Sequence, residues 1–391
     1  MKCDVLVVGC SSAGLMAATS AAKGGAATVL LDRDLQGLSH TANTLFEGMA
    51  APSGVKIESS YLIKELQGMR ILSPSGHSVT IPAKGYFIDR EKFDEHLLRQ
   101  AESCGVELMQ GNARMSELDS SRRTVSLEKD GIRLDDIEAR VVVDASGIKA
   151  ALARQAGLEP MRHPEDIAWA LEAEIEHPGI GEETHFQYWI GSMAPGWKAT
   201  FSPAAGDCAT LGVFVRGHGQ NVQPYFRQFL KMFKSCKSRE YSGIEGLKIL
   251  SVKRGGDPIC VLPGAMAADS LLVTGGSAGQ SGLAYSMRAG TICGMVAAEA
   301  VAAGDVAHGF LSRYEKLWKG EFYWKYRMGR ASLQTLISMS DEEIDRLICG
   351  LSGKTLLACG STLRKSVYAG AKVSLIRPGT MPDLLMNLAR G

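Results

Sequence analysis

The chain has 391 residues, is 45% hydrophobic and 22% charged, and carries a formal net charge of +1. That length and apolar content support a large core in two or three domains, and the even charge balance excludes the basic footprint that nucleic-acid binding requires. The nine cysteines form no CxxC pair and no Cys/His cluster, so buried free thiols of a cytoplasmic protein are expected rather than a metal site or a disulfide framework.

Residues 4–8 are a valine-rich run bounded by Gly9, residues 13–22 favour a helix, and residues 27–31 form a second strand-like run closed by Asp32. This is a β-turn-α-β unit. Its turn, Gly9-Cys10-Ser11-Ser12-Ala13-Gly14, has glycine at the first and last positions of the dinucleotide fingerprint and serine at the middle one. The first glycine makes the tight turn, a small middle residue lets a pyrophosphate approach the backbone, and the last lets helix pack on strand. Asp32 stands where an acid would bind the ribose hydroxyls. The N-terminal apolar run is too short for a signal or a spanning segment, and the alanine-rich run 292–303 is interrupted by Glu299, so both are expected in the core.

Residues 55–88 read as antiparallel strands punctuated by Ser73-Pro74-Ser75-Gly76, and residues 89–104 as a helix with Phe93, Leu97, Leu98 and Ala101 on one stripe. Residues 106–110, the hairpin signal Asp130-Gly131 and the run Val141-Val142-Val143 are strand-like, and 148–156 is expected to be helical. From 167 to 261 the chain is aromatic and β-branched, with one helical stretch at 223–233, which fits a second, mainly antiparallel domain. Residues 271–274 predict another buried strand, 275–279 a glycine turn and 284–303 a long helix of small residues. From 308 onward the pattern is helical, including the aromatic and basic run 322–327.

Several segments, in order and over nearly the whole chain, resemble the geranylgeranyl reductase family of flavoproteins with the aromatic-hydroxylase-like fold. They are Arg90-Glu91-Lys92-Phe93-Asp94, Val143-Asp144-Ala145-Ser146-Gly147, Gly275-Gly276-Ser277-Ala278-Gly279, the stretch from Gly191 to Trp197 with Phe201, and the C-terminal Arg313-Tyr314-Glu315-Lys316 and Met339-Ser340-Asp341-Glu342. The resemblance implies an α/β fold: a split Rossmann-type FAD-binding domain (1–54, 86–165, 264–305), an inserted antiparallel β-sheet substrate domain (55–85, 166–263) and a helical C-terminal region (306–391). Carried over position by position, it implies FAD contacts from Gly9, Ser11, Ser12, Ala13 and Gly14, from Asp32 and Arg33, from Gly48, Arg90 and Ala113, from Asp144 and Gly147, and from Gly276, Ser277, Gly282 and Leu283. The substrate pocket it implies contains Tyr188, Trp197, Ala199 and Phe201.

This chain departs from the family pattern in places. Gly276 replaces an aspartate that would bond the ribityl chain, and Gly279-Gln280-Ser281-Gly282-Leu283 is shorter than the family's Pro-x-x-Gly-x-Gly loop. Leu45-Phe46-Glu47-Gly48 keeps the glutamate and glycine of the family's Cys-x-Glu-Gly but not its thiol, which leaves Glu47 as the candidate acid. Ala199 stands where the substrate motif has tryptophan. The function implied is hydride transfer from reduced flavin to a carbon–carbon double bond of an isoprenoid or other lipid, with electrons from NAD(P)H or a ferredoxin-like protein. A flavin monooxygenase of the same fold and a non-redox lipid- or partner-binding member are the alternatives. Basic residues Arg364, Lys365, Lys372, Arg377 and Arg390 among apolar ones add an expectation of peripheral membrane contact.

Overall fold

The chain opens with β1 (Lys2–Val8), turns through Gly9 into α1 (Ser12–Lys23) and returns in β2 (Thr28–Asp32). It is described here by a computed structural model over residues 1–35, 42–118, 122–129, 131–134, 136–353, 372–377 and 379–390. After β2 the chain crosses to a second layer through β3 (Thr44–Phe46), the short α2 (Glu47–Ala50) and the hairpin of β4 (Leu62–Leu72) and β5 (Ser78–Ile88). It comes back along α3 (Arg90–Ser103), where the Asp89 carboxylate caps the helix by accepting the Lys92 N–H at 3.2 Å. There follow β6 (Glu107–Gln110), a meander of β7 (Asn112–Leu118), β8 (Arg123–Lys129) and β9 (Ile132–Arg133), then β10 (Ile137–Asp144). Asp130 of the expected hairpin turn lies outside the described residues. Helix α4 (Ala151–Gln155) starts later than the sequence pattern suggests, because Ala150 takes a left-handed conformation with φ 44°.

The second layer resumes with β11 (Ala168–Glu176), β12 (His185–Trp189), β13 (Lys198–Pro203) and β14 (Cys208–Arg216), continues through α5 (Gln223–Lys237) and ends at β15 (Lys248–Asp257). Two short strands, β16 (Ala267–Ala268) and β17 (Leu271–Val273), rejoin the first sheet. The helices α6 (Leu283–Ala303), α7 (His308–Leu311), α8 (Arg313–Ile337) and α9 (Asp341–Leu351) and a C-terminal helix, Thr380–Arg390, complete the described chain.

The first sheet runs β16-β17-β10-β1-β2-β6, with the β7–β9 meander attached through β8 to β10. Strand β1 is parallel to both neighbours, and Val5, Leu6 and Val7 are inaccessible on both faces, as a central strand covered by helices must be. On one face α6 lies against α1 at the closest possible distance. A Cβ on Gly290 would stand 2.1 Å from the Ala13 carbonyl oxygen, and one on Gly294 2.0 Å from that of Ala17. The Ser20 hydroxyl donates to the Thr291 carbonyl at 2.9 Å.

The second sheet runs β15-β11-β14-β13-β12-β4-β5-β3. So β3 and residues 86–88 pair in this sheet, although the sequence analysis assigned 1–54 and 86–165 to the cofactor domain. One face, with Leu171, Ala173, Leu211 and Val213, packs on Phe226, Phe229 and Phe233 of α5. The other face is curled around the start of β3, for Asn43 donates to the Thr210 hydroxyl at 3.0 Å and Thr44 and Ser202 share a hydrogen bond at 2.7 Å.

Helix α9 is pinned to this sheet by two carboxylates. Asp341 accepts the N–H and hydroxyl of Ser192 at 2.8 and 2.6 Å, and Asp345 accepts those of Ser75 at 2.9 and 2.6 Å. The cysteines differ from expectation in part. Cys10 and Cys293 are buried free thiols, whereas Cys208, Cys236 and Cys349 are exposed; Cys359 lies outside the described residues.

Candidate functional site: a flavin cleft and an aromatic chamber

The first turn is shaped by the chain's own packing. Gly9 has φ 111°, and an added Cβ would lie 2.3 Å from the Ala145 carbonyl oxygen; on Gly14 it would lie 1.9 Å from that of Gly9. Ser11 is the N-cap of α1, its hydroxyl accepting the Gly14 N–H at 3.2 Å. The leading N–H groups of Ser12 and Ala13 have no carbonyl ahead of them in the helix, which makes this end of α1 a natural anion site. The Asp32 carboxylate accepts the Cys10 N–H at 2.6 Å and the Asp34 N–H at 3.1 Å, so it ties the turn to the end of β2. Gln110 donates to the Arg33 carbonyl at 3.2 Å, and Ala113 packs with Val29 and Leu31 beside the same strand end.

Arg90 opens α3 against the start of α1. Its guanidinium donates to the Ser12 hydroxyl at 2.7 Å, to the fully buried Asp94 at 2.9 Å and to the Ala42 carbonyl at 3.1 Å. On the other side of the turn, Asp144 is inaccessible and takes the Ser146 N–H and hydroxyl at 2.9 and 2.6 Å, the Ala153 N–H at 2.8 Å and the Ser277 hydroxyl at 3.1 Å. Asp144 and Ser277 therefore lock the 144–147 and 275–278 turns to each other.

The short loop 279–283 is fixed from below. Gln280 accepts the Gly275 N–H at 2.7 Å and donates to the Tyr314 hydroxyl at 2.8 Å, while the Ser281 N–H donates to the Tyr326 hydroxyl at 3.0 Å. Both tyrosines come from the aromatic stripe of α8, where Tyr314, Trp318, Phe322 and Tyr326 recur every fourth residue and are buried. The Ser281 hydroxyl donates to Asp257 at the end of β15. Burial raises the Asp257 pKa above the carboxylate range, partly offset by that hydrogen bond and by Lys198 and Arg216.

Beyond the loop, the ammonium of Lys198 stands 4.4 Å from the Tyr188 ring centre, 5.1 Å from those of Trp197 and Phe214 and 5.6 Å from that of Phe186. Four rings surround one cation on the face of the second sheet turned away from α5, and the ammonium occupies the middle of this aromatic chamber. Phe46 meets Phe186 edge to face at 6.2 Å, which brings the β3–α2 junction to the chamber wall. A cavity of about 350 Å³ opens between this sheet and α3, lined by Asn43, Arg90, Glu172, Thr210 and Lys253.

The profile of FAD dependent oxidoreductases matches residues 4–166. Over 360 residues the chain is 31% identical to digeranylgeranylglycerophospholipid reductase 1 of Methanothermobacter thermautotrophicus, covering 88% of this chain and 89% of that protein. The chain belongs to the geranylgeranyl reductase family. The digeranylgeranylglycerophospholipid reductase of Methanocaldococcus jannaschii is 29% identical over 88% of this chain and 89% of its own. A geranylgeranyl bacteriochlorophyll reductase-like protein from Thermoplasma acidophilum, of known crystal structure, has the same fold, with a TM-score of 0.87, 22% identity and 99% of each chain covered.

This reductase is thus an FAD-dependent oxidoreductase, and its own residues fit that cofactor. The leading N–H groups of α1 suit a pyrophosphate, and a Cβ added at Gly48, Gly147 or Gly282 would meet nothing within 4 Å, so these positions face open space. At Gly276 an added Cβ makes only ordinary contact, 3.4 Å from Gly147 Cα. Leu283 opens α6 from Gly282, whose φ is 84°.

The expected substrate set is divided. Tyr188 and Trp197 stand at the chamber, but Ala199 and Phe201 point to the other face of β13, where Phe201 lies 5.2 Å from Phe233 of α5. Alternation along a strand puts neighbours on opposite faces, and Lys198 between them holds the chamber side. Glu47 is exposed at the start of α2. Lys198, Asp257 and Ser281 also meet here and are not among the residues expected from the sequence. Strand register joins Lys198 to Phe214 and Asp257 to Ala168, pairings that no local motif announces.

Proposed function

We propose that this oxidoreductase saturates carbon–carbon double bonds in the polyprenyl chain of a membrane lipid, the substrate class that the names of its curated relatives give for those proteins. The observation that carries the reading is the cluster of Phe186, Tyr188, Trp197 and Phe214 around Lys198, whose charge acts on Asp257, the hydrogen-bond partner of Ser281 in the 279–283 loop. Aromatic faces suit an alkene chain and any positive charge that develops on it.

In this reading Gly9, Ser11, Ser12, Ala13 and Gly14 surround the pyrophosphate, and Arg90 adds positive charge beside it. Asp32, Arg33 and Ala113 border the adenosine, with lone pairs of Asp32 left for ribose hydroxyls. Gly147, Gly276, Gly282, Leu283 and Gly48 form the walls around the flavin. FAD, when bound and reduced, supplies the two electrons of the reaction. The chain orients the lipid against aromatic rings and keeps water from the chamber. The electrons come from NAD(P)H or a ferredoxin-like donor, and no second glycine-rich fingerprint exists to hold a resident nicotinamide.

The protein meets its lipid at the bilayer surface. No described helix is long and apolar enough to cross a membrane. Peripheral contact is supported by the C-terminal helix, which packs on α8 through Arg327 and Asn387 and leaves Leu385 and Met386 60% and 50% exposed, near Trp324 at 66%. Of the basic residues that prompted this expectation, Arg364 and Lys365 lie outside the described residues.

The test is an absorbance titration with FAD, followed by anaerobic reduction and addition of a digeranylgeranyl lipid. Flavin bands that bleach on reduction and return with the lipid are expected, together with mass gain of two hydrogens per saturated bond. Bound flavin that oxygen reoxidises but the lipid does not would overturn this substrate class.

A further inference from the structure

We propose that Asp257 is the acid that protonates the substrate alkene, and that Ser281, Lys198 and Arg216 stabilise the carboxylate it leaves; this rests on the alkene-reductase reading above. Asp257 ends β15 in register with Ala168, and Ala168 with Arg216, while Phe214 and Lys198 pair one step further along the same face. The carboxyl is therefore on the chamber side of the sheet. Asp257 is half-buried on the edge strand of the second sheet. It accepts the hydroxyl of Ser281, a residue that Tyr326 holds in the loop leading into α6 at the flavin cleft. The carboxyl thus links the aromatic face of the second sheet to the loop that leads into α6, whereas Glu47 is exposed at the start of α2.

The step balances without a further reagent. Reduced FAD, when bound, would supply the hydride equivalent to one alkene carbon and would be left oxidised, while Asp257 gives its proton to the neighbouring carbon. The π bond breaks and two C–H bonds form, which accounts for both electrons and the proton. Asp257 is left as carboxylate beside the Ser281 hydroxyl and two cations, and it regains a proton from water through the cleft.

Around Asp257 stand Lys198 on β13, Arg216 on β14, Tyr326 on α8 and Cys260 just past β15, with Tyr285 of α6 beside Cys260 and Tyr326; Arg216 is itself paired with Asp166 at 3.0 Å, as is Arg330 at 2.8 Å. Burial pushes the Cys260 thiol up to about 12 and raises both tyrosines, so none of these three ionises where a carboxyl titrates. Burial also raises Asp257, which keeps its acid form to higher pH than an exposed carboxyl. A rate that depends on this acid falls as pH rises through its pKa.

Asp257→Asn and wild type, each loaded with FAD, are compared by anaerobic single-turnover reoxidation with a digeranylgeranyl lipid across pH. The expected result is a loss of about 100-fold or more in rate, with FAD affinity kept and the alkaline limb of the wild-type profile gone. Infrared titration of the cofactor-free protein should show a protonated-carboxyl band in wild type that Asp257→Asn lacks. Ser281→Ala removes a hydroxyl that favours the carboxylate, so it should move the limb to higher pH, and it serves if the asparagine variant fails to fold. A wild type that the lipid does not reoxidise overturns the substrate reading and this inference with it. A wild type that turns over, with Asp257→Asn equally fast or the limb unmoved by Ser281→Ala, overturns the acid alone.

Discussion

Ser11 occupies a fingerprint position where glycine is usual, and its hydroxyl gives the turn something glycine lacks, a cap for the Gly14 N–H. Ser11→Ala should therefore lower stability by about 1 kcal/mol, measured by denaturant unfolding of the FAD-free protein. Gly276 presents the reverse case. The family resemblance places a carboxylate at this position, and the space beside Gly276 tolerates a Cβ at 3.4 Å from Gly147. Gly276→Asp should tighten FAD binding by about 1.5–3 kcal/mol, the worth of a hydrogen bond to a charged group, in a fluorescence-quenching titration; an unchanged Kd would place the ribityl chain elsewhere. The fingerprint turn and Asp32 were legible because a dinucleotide turn imposes its residues within one short segment. Phe201 and Ala199 were misplaced because a motif fixes residue types while strand parity decides the face. Asp257 was invisible because its partners, Ser281, Lys198 and Arg216, converge from three different parts of the chain.

Among the elements, α1 and α6 are the pair whose contact leaves no room. Gly290→Val would drive carbon into the Ala13 carbonyl and force the helices apart, at a cost of about 1–3 kcal/mol or more. Because Ala13 leads the anion-binding end of α1, a lowered Tm should come with weaker FAD binding, and a variant with normal values of both would refute the contact. Helix α9 depends on charge instead. Burial opposes the ionisation of Asp345, but the Ser73 hydroxyl, the hydroxyl and N–H of Ser75 and nearby His77 together outweigh it and hold the pKa below the ordinary 3.8. A depressed carboxyl stabilises the fold above its unfolded pKa and loses that effect as pH falls through its folded pKa. The amides of α9 should accordingly exchange faster as pH drops below about 4, after correction for intrinsic exchange, and Asp345→Asn should loosen α9 at neutral pH and flatten this response. Most elements were legible from hydrophobic period alone. The start of α4 was not, since the left-handed Ala150 has no signature in its residue type, nor was the membership of β3 in the second sheet.

For the whole molecule, the helical C-terminal region does two jobs at once. Its inner stripe on α8 holds the 279–283 loop through Tyr314 and Tyr326, and its outer surface exposes Trp324, Leu385 and Met386. Replacing both Leu385 and Met386 by Asp should release the protein from anionic vesicles in a sedimentation assay without moving the flavin spectrum; retention on the vesicles would remove this surface from consideration. The order of strands has a further consequence, for the time course of synthesis. Strand β10 pairs on one side with β1 and on the other with β17, and the second sheet pairs β12 with β4. A chain emerging at about 5–20 residues per second exposes β1 for roughly fifteen to sixty seconds before β17 and α6 are both made. Neither sheet can close on the ribosome until most of the chain has been made, so the nascent protein needs protection of its apolar strands, and the N-terminal half expressed alone should aggregate rather than bind FAD.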